Sequence, residues 1–243
     1  MDRGTAAGGG VLRLRGRSFG PGQLVIMARV GRTPDERGPA RDISAAMDRV
    51  HAVVAEGADI VDLGGGPAGV TAAEEIRRAV PFVAAVRAAY PDLVIGAGAW
   101  RDETARELCA AGADLLHDPG ERLAEVAAEY GAGLVCGHAD RAVARGVEPA
   151  RVIIEAGPGT WPSPEATRRL EEMVAAGWPV LVSAPGPSPD GGPAGGLAAV
   201  AVWAWLGARV FRADRVTPTR RVLDMVAAIR GDRPPARAVR GLA

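Results

Sequence analysis

The chain has 243 residues, 48% of them hydrophobic and 24% charged, with 29 Lys and Arg against 29 Asp and Glu. That length and balance describe one globular α/β unit, and zero net charge gives no electrostatic reason to bind nucleic acid or an anionic membrane. No apolar run reaches the ~18 residues of a spanning helix, and the Gly/Ala-rich start lacks the apolar core of a secretory signal, so no membrane partner and a cytoplasmic location are expected. The two cysteines, Cys109 and Cys136, stand apart from each other and from any His pair and read as core residues. The chain contains neither Lys nor Asn, which excludes chemistry that needs an amine nucleophile or a Lys anion clamp.

Residues 11–16 and 18–23 read as a hairpin turning at Gly20-Pro21-Gly22, of the kind that caps the N-terminal end of a barrel. A buried strand over 24–30 leads through a loop, 31–41, to a helix over 42–56 with Ile43, Met47, Val50 and Val54 at helical spacing. Strand 60–63 precedes a Gly/Pro loop and a helix over 71–90, with a split expected at Pro81. Strand 92–97, helix 101–111, a strand ending at His117-Asp118, helix 121–130 and strand 133–137 follow. Residues 139–146 are too short for an ordinary crossover helix. Strand 151–155, helix 164–177 capped by Ser163, and strand 179–183 lead to a Pro/Gly/Ser-rich loop, 184–196. Helix 197–207, strand 208–213 and helix 217–230 complete one domain, 11–232, between tails 1–10 and 233–243.

A local unit recurs: Gly57-Ala58-Asp59, Gly112-Ala113-Asp114, Gly131-Ala132-Gly133 and Gly207-Ala208-Arg209 each end a helix and open an apolar strand. Repeated joints of this kind imply parallel strands with crossover helices. About eight strands in strict alternation with helices point to a closed α/β (βα)8 TIM barrel with an N-terminal hairpin, rather than an open doubly wound sheet. The helix over 197–206 is apolar on every side. It fits either a homodimer face anchored by Trp203 or Trp205, or packing beneath the N-terminal hairpin.

In such a barrel the chemistry sits at the C-terminal strand ends, here Gly31, Asp62 with Gly64, Gly98, His117 with Asp118, His138, Glu155, Ser183, and Arg212 with Asp214. Arg212 is the anion candidate, set against an ion pair with Asp214 or Asp224. Gly64-Gly65-Gly66 and Gly157-Pro158-Gly159 suit a phosphate cradle, a weak signal in a chain with 33 Gly. Acidic residues at a barrel mouth are ordinary and no zinc-ligand spacing occurs, so no metal site is assigned.

The stretches Arg32-Thr33-Pro34-Asp35, Gly57 through Gly65, Glu74-Glu75-Ile76-Arg77-Arg78 with Val80-Pro81, Ala111 through Leu116, and Gly207 through Arg212 with Arg221-Val222-Leu223-Asp224-Met225 carry a resemblance. The chain resembles dihydropteroate synthases over nearly its whole length, and in particular the divergent second paralogue carried by actinobacteria. The resemblance implies a TIM barrel of the folate pathway, a transferase that condenses a dihydropterin pyrophosphate with p-aminobenzoate, and Mg2+ as the metal. It also implies losses. The first-strand Asn of the family falls on Gly31, the third-strand Asp and Thr on Gly98 and Ala99, and the fourth-strand Asn on His117, with its following Asp kept as Asp118. The sixth-strand Asp becomes Glu155, the seventh-loop Lys is missing, and the last-strand Arg survives as Arg212 while the His after it is Asp214.

Each lost charge-assisted anchor is worth roughly 1.5–3 kcal/mol. The expectation is a catalytically degenerate, dihydropteroate-synthase-like pterin-binding barrel, retained as a binding or partner subunit: a homodimer, or a hetero-oligomer with an active paralogue. Asp62, His117, Asp118, Glu155 and Arg212 are the residues left to hold a pterin-like or pyrophosphate-like ligand. The alternative is a weak or altered transferase; no catalytic residue is assigned.

Overall fold

The computed structural model describes residues 10–31, 43–64, 69–118, 120–157, 163–185 and 194–234. Most of the expected loops 31–41 and 184–196, the ends of both glycine-rich turns, and nearly all of both tails lie outside the described residues. The chain begins with β1 (Leu12–Leu14), β2 (Arg17–Phe19) and β3 (Val25–Arg29), then α1 (Ile43–Ala55), β4 (Ile60–Asp62) and α2 (Ala72–Ala89). It continues with β5 (Val94–Gly98), α3 (Asp102–Ala110), β6 (Leu115–His117), α4 (Ala124–Tyr130), β7 (Gly133–Cys136) and α5 (Ala139–Ala144). A 3-10 turn (Pro149–Arg151) precedes β8 (Val152–Glu155), followed by α6 (Pro164–Ala175), β9 (Val180–Ser183), α7 (Ala194–Trp205), β10 (Val210–Ala213) and α8 (Val216–Arg230).

β3 to β10 form a closed parallel barrel, sealed where β10 pairs with β3 at Val210↔Val25 and Arg212↔Met27. The recurring Gly-Ala unit is the device that turns α1, α3, α4 and α7 into the strands after them. Gly57, Gly112, Gly131 and Gly207 all have positive φ. The following Ala amide reaches back five residues, as in Ala58 to the Val53 carbonyl at 3.0 Å and Ala132 to that of Ala127 at 2.8 Å. That paired closure satisfies carbonyls which the helix end would otherwise leave open.

Two sequence expectations are corrected. α2 runs unbroken through Pro81, because that residue sits on the solvent side while Phe82, Val83 and Val86 hold the buried side against the barrel. The hairpin turns at Arg15-Gly16, not at Gly20-Pro21-Gly22, since Leu14 pairs with Arg17 and both turn residues take positive φ. A two-residue loop of that geometry matches the twist of the strands it joins. Gly20 to Gln23 form the separate turn into β3, where the Gln23 amide meets the Gly20 carbonyl at 3.0 Å. The shortened crossover is a six-residue helix, α5, followed by the 3-10 turn. α7 packs against α8 rather than beneath the hairpin, with Trp203 in the core and Trp205 58% exposed.

The hairpin plugs the N-terminal end of the barrel. Leu12, Leu14 and Phe19 join the interior layer of Val25, Met27, Ile60, Val94, Leu115, Val135, Ile153, Leu181 and Val210. Between these leucines the alternating arginines point outward and meet carboxylates that precede alternate barrel strands. Arg17 lies 3.7 Å from Asp59, Arg15 3.5 Å from Asp114, and Arg13 4.0 Å from Glu148. Before β10 the polarity reverses: buried Arg209 donates to the carbonyls of Gly10, Phe19 and Gly20 at 3.0, 3.0 and 2.7 Å. Asp59 and Asp114 also accept the amides of Ile26 and Ile95, each at 2.9 Å, which ties each strand opening to the strand before it.

Gly133 marks the closest approach. A Cβ there would meet the Leu14 methyl at 2.5 Å, the Arg151 carbonyl at 2.9 Å and a Leu115 methyl at 2.9 Å. Gly133→Ala is expected to lower the unfolding free energy by about 1–3 kcal/mol in denaturant titration. On a Leu14→Ala background the added cost should fall, because the tightest contact has been removed. Equal cost in both backgrounds would show that the hairpin does not seat there.

Candidate functional site

Strand periodicity sets the composition of the mouth. Side chains two residues apart on a strand point the same way, so the inward apolar layer is followed, two residues on, by another inward layer. Beyond Ile60, Leu115, Ile153 and Val210 those positions are Asp62, His117, Glu155 and Arg212, a quartet from alternate strands, as barrel layers are built. Ser183 stands two residues beyond Leu181 and Arg29 two beyond Met27.

Arg212, His117 and Glu155 form a closed hydrogen-bond circuit, with Ser183 bonded to it and Asp62 beside it at ion-pair distance. Arg212 Nη2 donates to Glu155 Oε1 at 2.8 Å, its Nε to the Ser183 hydroxyl at 3.1 Å, and its Nη1 to His117 Nδ1 at 2.9 Å. His117 Nε2 lies 2.9 Å from Glu155 Oε2, and Asp62 Oδ2 is 3.8 Å from Arg212 Nη1. A guanidinium has donors only, so the shared contact requires a lone pair on His117 Nδ1. The ring proton therefore sits on Nε2 and is donated to Glu155. Burial alone pushes the Glu155 carboxyl up, but the hydrogen bonds from His117 and Arg212 and the positive charge beside it outweigh burial and hold the group below its ordinary value.

With His117 neutral, two carboxylates face one guanidinium, which leaves the quartet one negative charge in excess. On the rim, Asp214 lies 3.6 Å from Arg29 Nε, and its backbone carbonyl accepts from Arg49. The implied pyrophosphate region thus carries the Asp214 carboxylate, offset by Arg29.

The structure brings Asp62, His117, Glu155 and Arg212 together and leaves Asp118 out. The Asp118 carboxylate is buried and accepts the amides of Gly120 and Leu123 at 3.1 and 2.8 Å, bracing the turn into α4. Two buried carboxylates escaped the sequence reading. Glu121, at φ 54°, accepts the amides of Gly137 and His138 at 3.0 and 2.8 Å and lies 3.2 Å from His138 Nδ1. No periodic pattern singles it out. Glu75 accepts from the Thr104 hydroxyl at 2.8 Å and joins α2 to the start of α3. Its place on the buried face of α2, in line with Phe82 and Val86, was the available signal.

The donor set does not fit a resident magnesium ion. Gly31 brings no side-chain oxygen, and the Glu155 and Asp62 carboxylates face Arg212. Among the described residues no group of three or more His, Cys, Asp or Glu could hold a metal. Neither thiol is a candidate nucleophile, since burial pushes both Cys109 and Cys136 up to about 12.

The family model for pterin binding enzymes matches residues 27–146. "Inactive dihydropteroate synthase 2" of Mycobacterium leprae is 40% identical, across 95% of this chain and 99% of that protein. The protein of the same name from Mycobacterium tuberculosis is 39% identical, across 95% of this chain and 90% of its own length. A solved Mycobacterium tuberculosis structure, 40% identical, superposes with a TM-score of 0.77 over 92% of this chain and 99% of that one. With the closed barrel, its N-terminal plug and the mouth quartet, these matches show that the chain belongs to the dihydropteroate synthase family of pterin-binding proteins.

Proposed function

We propose that this is a catalytically degenerate dihydropteroate-synthase-like protein of the cytoplasm, retained as a binding or partner subunit of the folate pathway. One observation carries the reading: each guanidinium nitrogen of Arg212, the surviving anion-binding residue of the implied site, has a partner within the protein, in Glu155, His117 or Ser183. A pyrophosphate ester would have to break a charge-assisted pair and enter a quartet that is already net negative. The naming of the mycobacterial relatives as inactive synthases supports the same reading. Asp62, His117, Glu155 and Arg212 are the residues that would meet a pterin-like ligand; Asp118 supports the turn beneath.

The partner role is supported by the outer face of α7 and α8. Trp205 and Val202 on α7 are exposed, as are Met225 and Ile229, 61% and 66%, on α8, the helix that packs against it. Large apolar side chains grouped in this way mark interaction surfaces more often than isolated ones do. Trp205 is the anchor of this face, whereas Trp203 belongs to the core.

Thermal unfolding with dihydropterin pyrophosphate and Mg2+ tests ligand binding, and pyrophosphate release tests turnover. Ligand at a hundred times its Kd adds ~2.7 kcal/mol of stability, an easily seen shift. No pyrophosphate release with p-aminobenzoate is expected. A midpoint shift without release identifies a binder, absence of a shift at millimolar ligand a partner subunit, and sustained release an enzyme, which overturns the proposal.

Two further outcomes follow. Glu155→Gln is expected to cost roughly 1.5–3 kcal/mol at neutral pH, the worth of a hydrogen bond to a charged group. Because the Glu155 carboxyl is held below its ordinary value of 4.5, its contribution is complete above that value and fades as pH falls through the folded-state value. The stability gap between the two proteins should therefore narrow on acidification below pH 4.5. Trp205→Glu should shift sedimentation toward monomer while the melting curve of the barrel is kept; an unchanged oligomeric state would remove α7 from the interface.

A further inference from the structure

We propose that His117 is a proton gate on Arg212: while the imidazole is neutral the mouth is locked, and when it takes up a proton the guanidinium is released to bind an oxyanion. The inference rests on the reading above, that Arg212 is engaged within the protein. The 2.9 Å contact between Arg212 Nη1 and His117 Nδ1 exists only while Nδ1 carries a lone pair. Nε2 already donates to Glu155, so an added proton has one place to go, and that place faces Arg212. Two cationic donors then stand opposite each other, with no acceptor from the described residues between them.

Among the described residues no further acceptor lies within hydrogen-bond distance of Arg212 Nη1; the Asp62 carboxylate stands 3.8 Å away. The residues paired with His117 on the neighbouring strands are Gly98 of β5 and Val135 of β7, which bring no polar side chain. Asp118, next in the chain, is bonded to backbone amides and lies 3.8 Å from Arg122. Beyond β7, Glu121 is engaged by His138 and two amides, with Arg141 at 4.0 Å. From β8, both oxygens of Glu155 already accept, one from each member of the pair. From β4, Asp62 lies 3.8 Å from Arg212 and accepts the Gly64 amide at 3.2 Å. From β9, Ser183 faces Nε, and on the rim Arg29 and Asp214 pair with each other.

An oxyanion placed between Nη1 and a protonated Nδ1 would accept from both, replacing the contact that the proton removed. The same proton cancels the negative excess of the quartet, so anion entry ceases to be opposed. His117 stands where the family resemblance implies an Asn, a side chain that cannot titrate in this way. The substitution that removes a pterin contact therefore adds a proton-dependent one.

Inorganic sulfate is the probe, because it stays a dianion across the relevant range. Calorimetric titration of the full chain between pH 5.5 and 8.5 should show sulfate binding that weakens as pH rises, by up to about tenfold per pH unit through the gate's titration. His117→Gln gives Arg212 a permanent carbonyl acceptor and should flatten that dependence at the weak, high-pH level. His138→Gln, which alters an exposed imidazole outside the circuit, should keep the wild-type slope. A flat wild-type response, or an unchanged slope in His117→Gln, overturns the gate. Should His117→Gln fail to fold, ring 15N shifts of the wild-type protein decide: Nδ1 must be unprotonated at pH 8.5 and gain a proton with sulfate at pH 5.5. The assay needs no pterin, so its failure stands apart from that of the functional reading, which pyrophosphate release alone would overturn.

Discussion

A closed parallel barrel encloses one narrow interior, and inward side chains from alternate strands must fill it in layers. That constraint reaches both ends of this molecule. At the N-terminal end the interior would open to water, and Leu12, Leu14 and Phe19 close it from outside the barrel. A three-residue by three-residue hairpin is far too small to be stable alone. It holds its place because its outward arginines meet Asp59, Asp114 and Glu148 while Arg209 grips its carbonyls. The exposed pairs among these contribute little individually. Arg209 differs, since its guanidinium is buried, burial pushes it below its ordinary value, and its two terminal nitrogens make the bonds to the hairpin side.

At the other end the same periodicity delivers four polar side chains to one level. Charges that cannot turn away from each other must pair, and the quartet does so without remainder on the cationic side. Glu155 reaches Arg212 and His117 at once, and Ser183 takes the remaining guanidinium edge. Among the described residues the Arg212 charge is therefore met within the protein, and one negative charge is left over. A site built to hold a dianion would show the reverse, with donors aimed at a place where no protein acceptor stands.

Most of the barrel was legible because it rests on local rules. The Gly-Ala joints specify where four of the helices stop, and Ser163 with Pro164 specifies where α6 begins, with the Ser163 hydroxyl accepting the Ala166 amide at 3.1 Å. Strand ends, once placed, identify the mouth. What the sequence did not carry was direction. Asp118 and His117 are neighbours, yet one turns into its own loop and the other into the barrel, as alternation requires once the register is known. The hairpin turn was misplaced because Arg15 in left-handed conformation leaves no mark that competes with a Gly-Pro-Gly. Glu121 was invisible for a related reason: its task, collecting the amides of Gly137 and His138, is defined by a strand that lies beyond an intervening helix.

Stability and function meet at Arg212. An anion-binding guanidinium must stay underpaired in the free protein, and a buried, underpaired charge costs several kcal/mol that only the ligand offsets. Once turnover is no longer required, substitutions that pair the charge become stabilising, and those available lie on the strands that already face it. Asp to Glu at position 155 lengthens the carboxylate arm, and Asn to His at 117 supplies an acceptor for one guanidinium edge and a donor for the carboxylate, if the residues implied by the family resemblance are the starting point. Asp214 follows the same logic, since its charge is offset by Arg29 rather than left facing the mouth. The substitutions that dismantle the synthase site are, in physical terms, the ones that complete the barrel's uppermost layer.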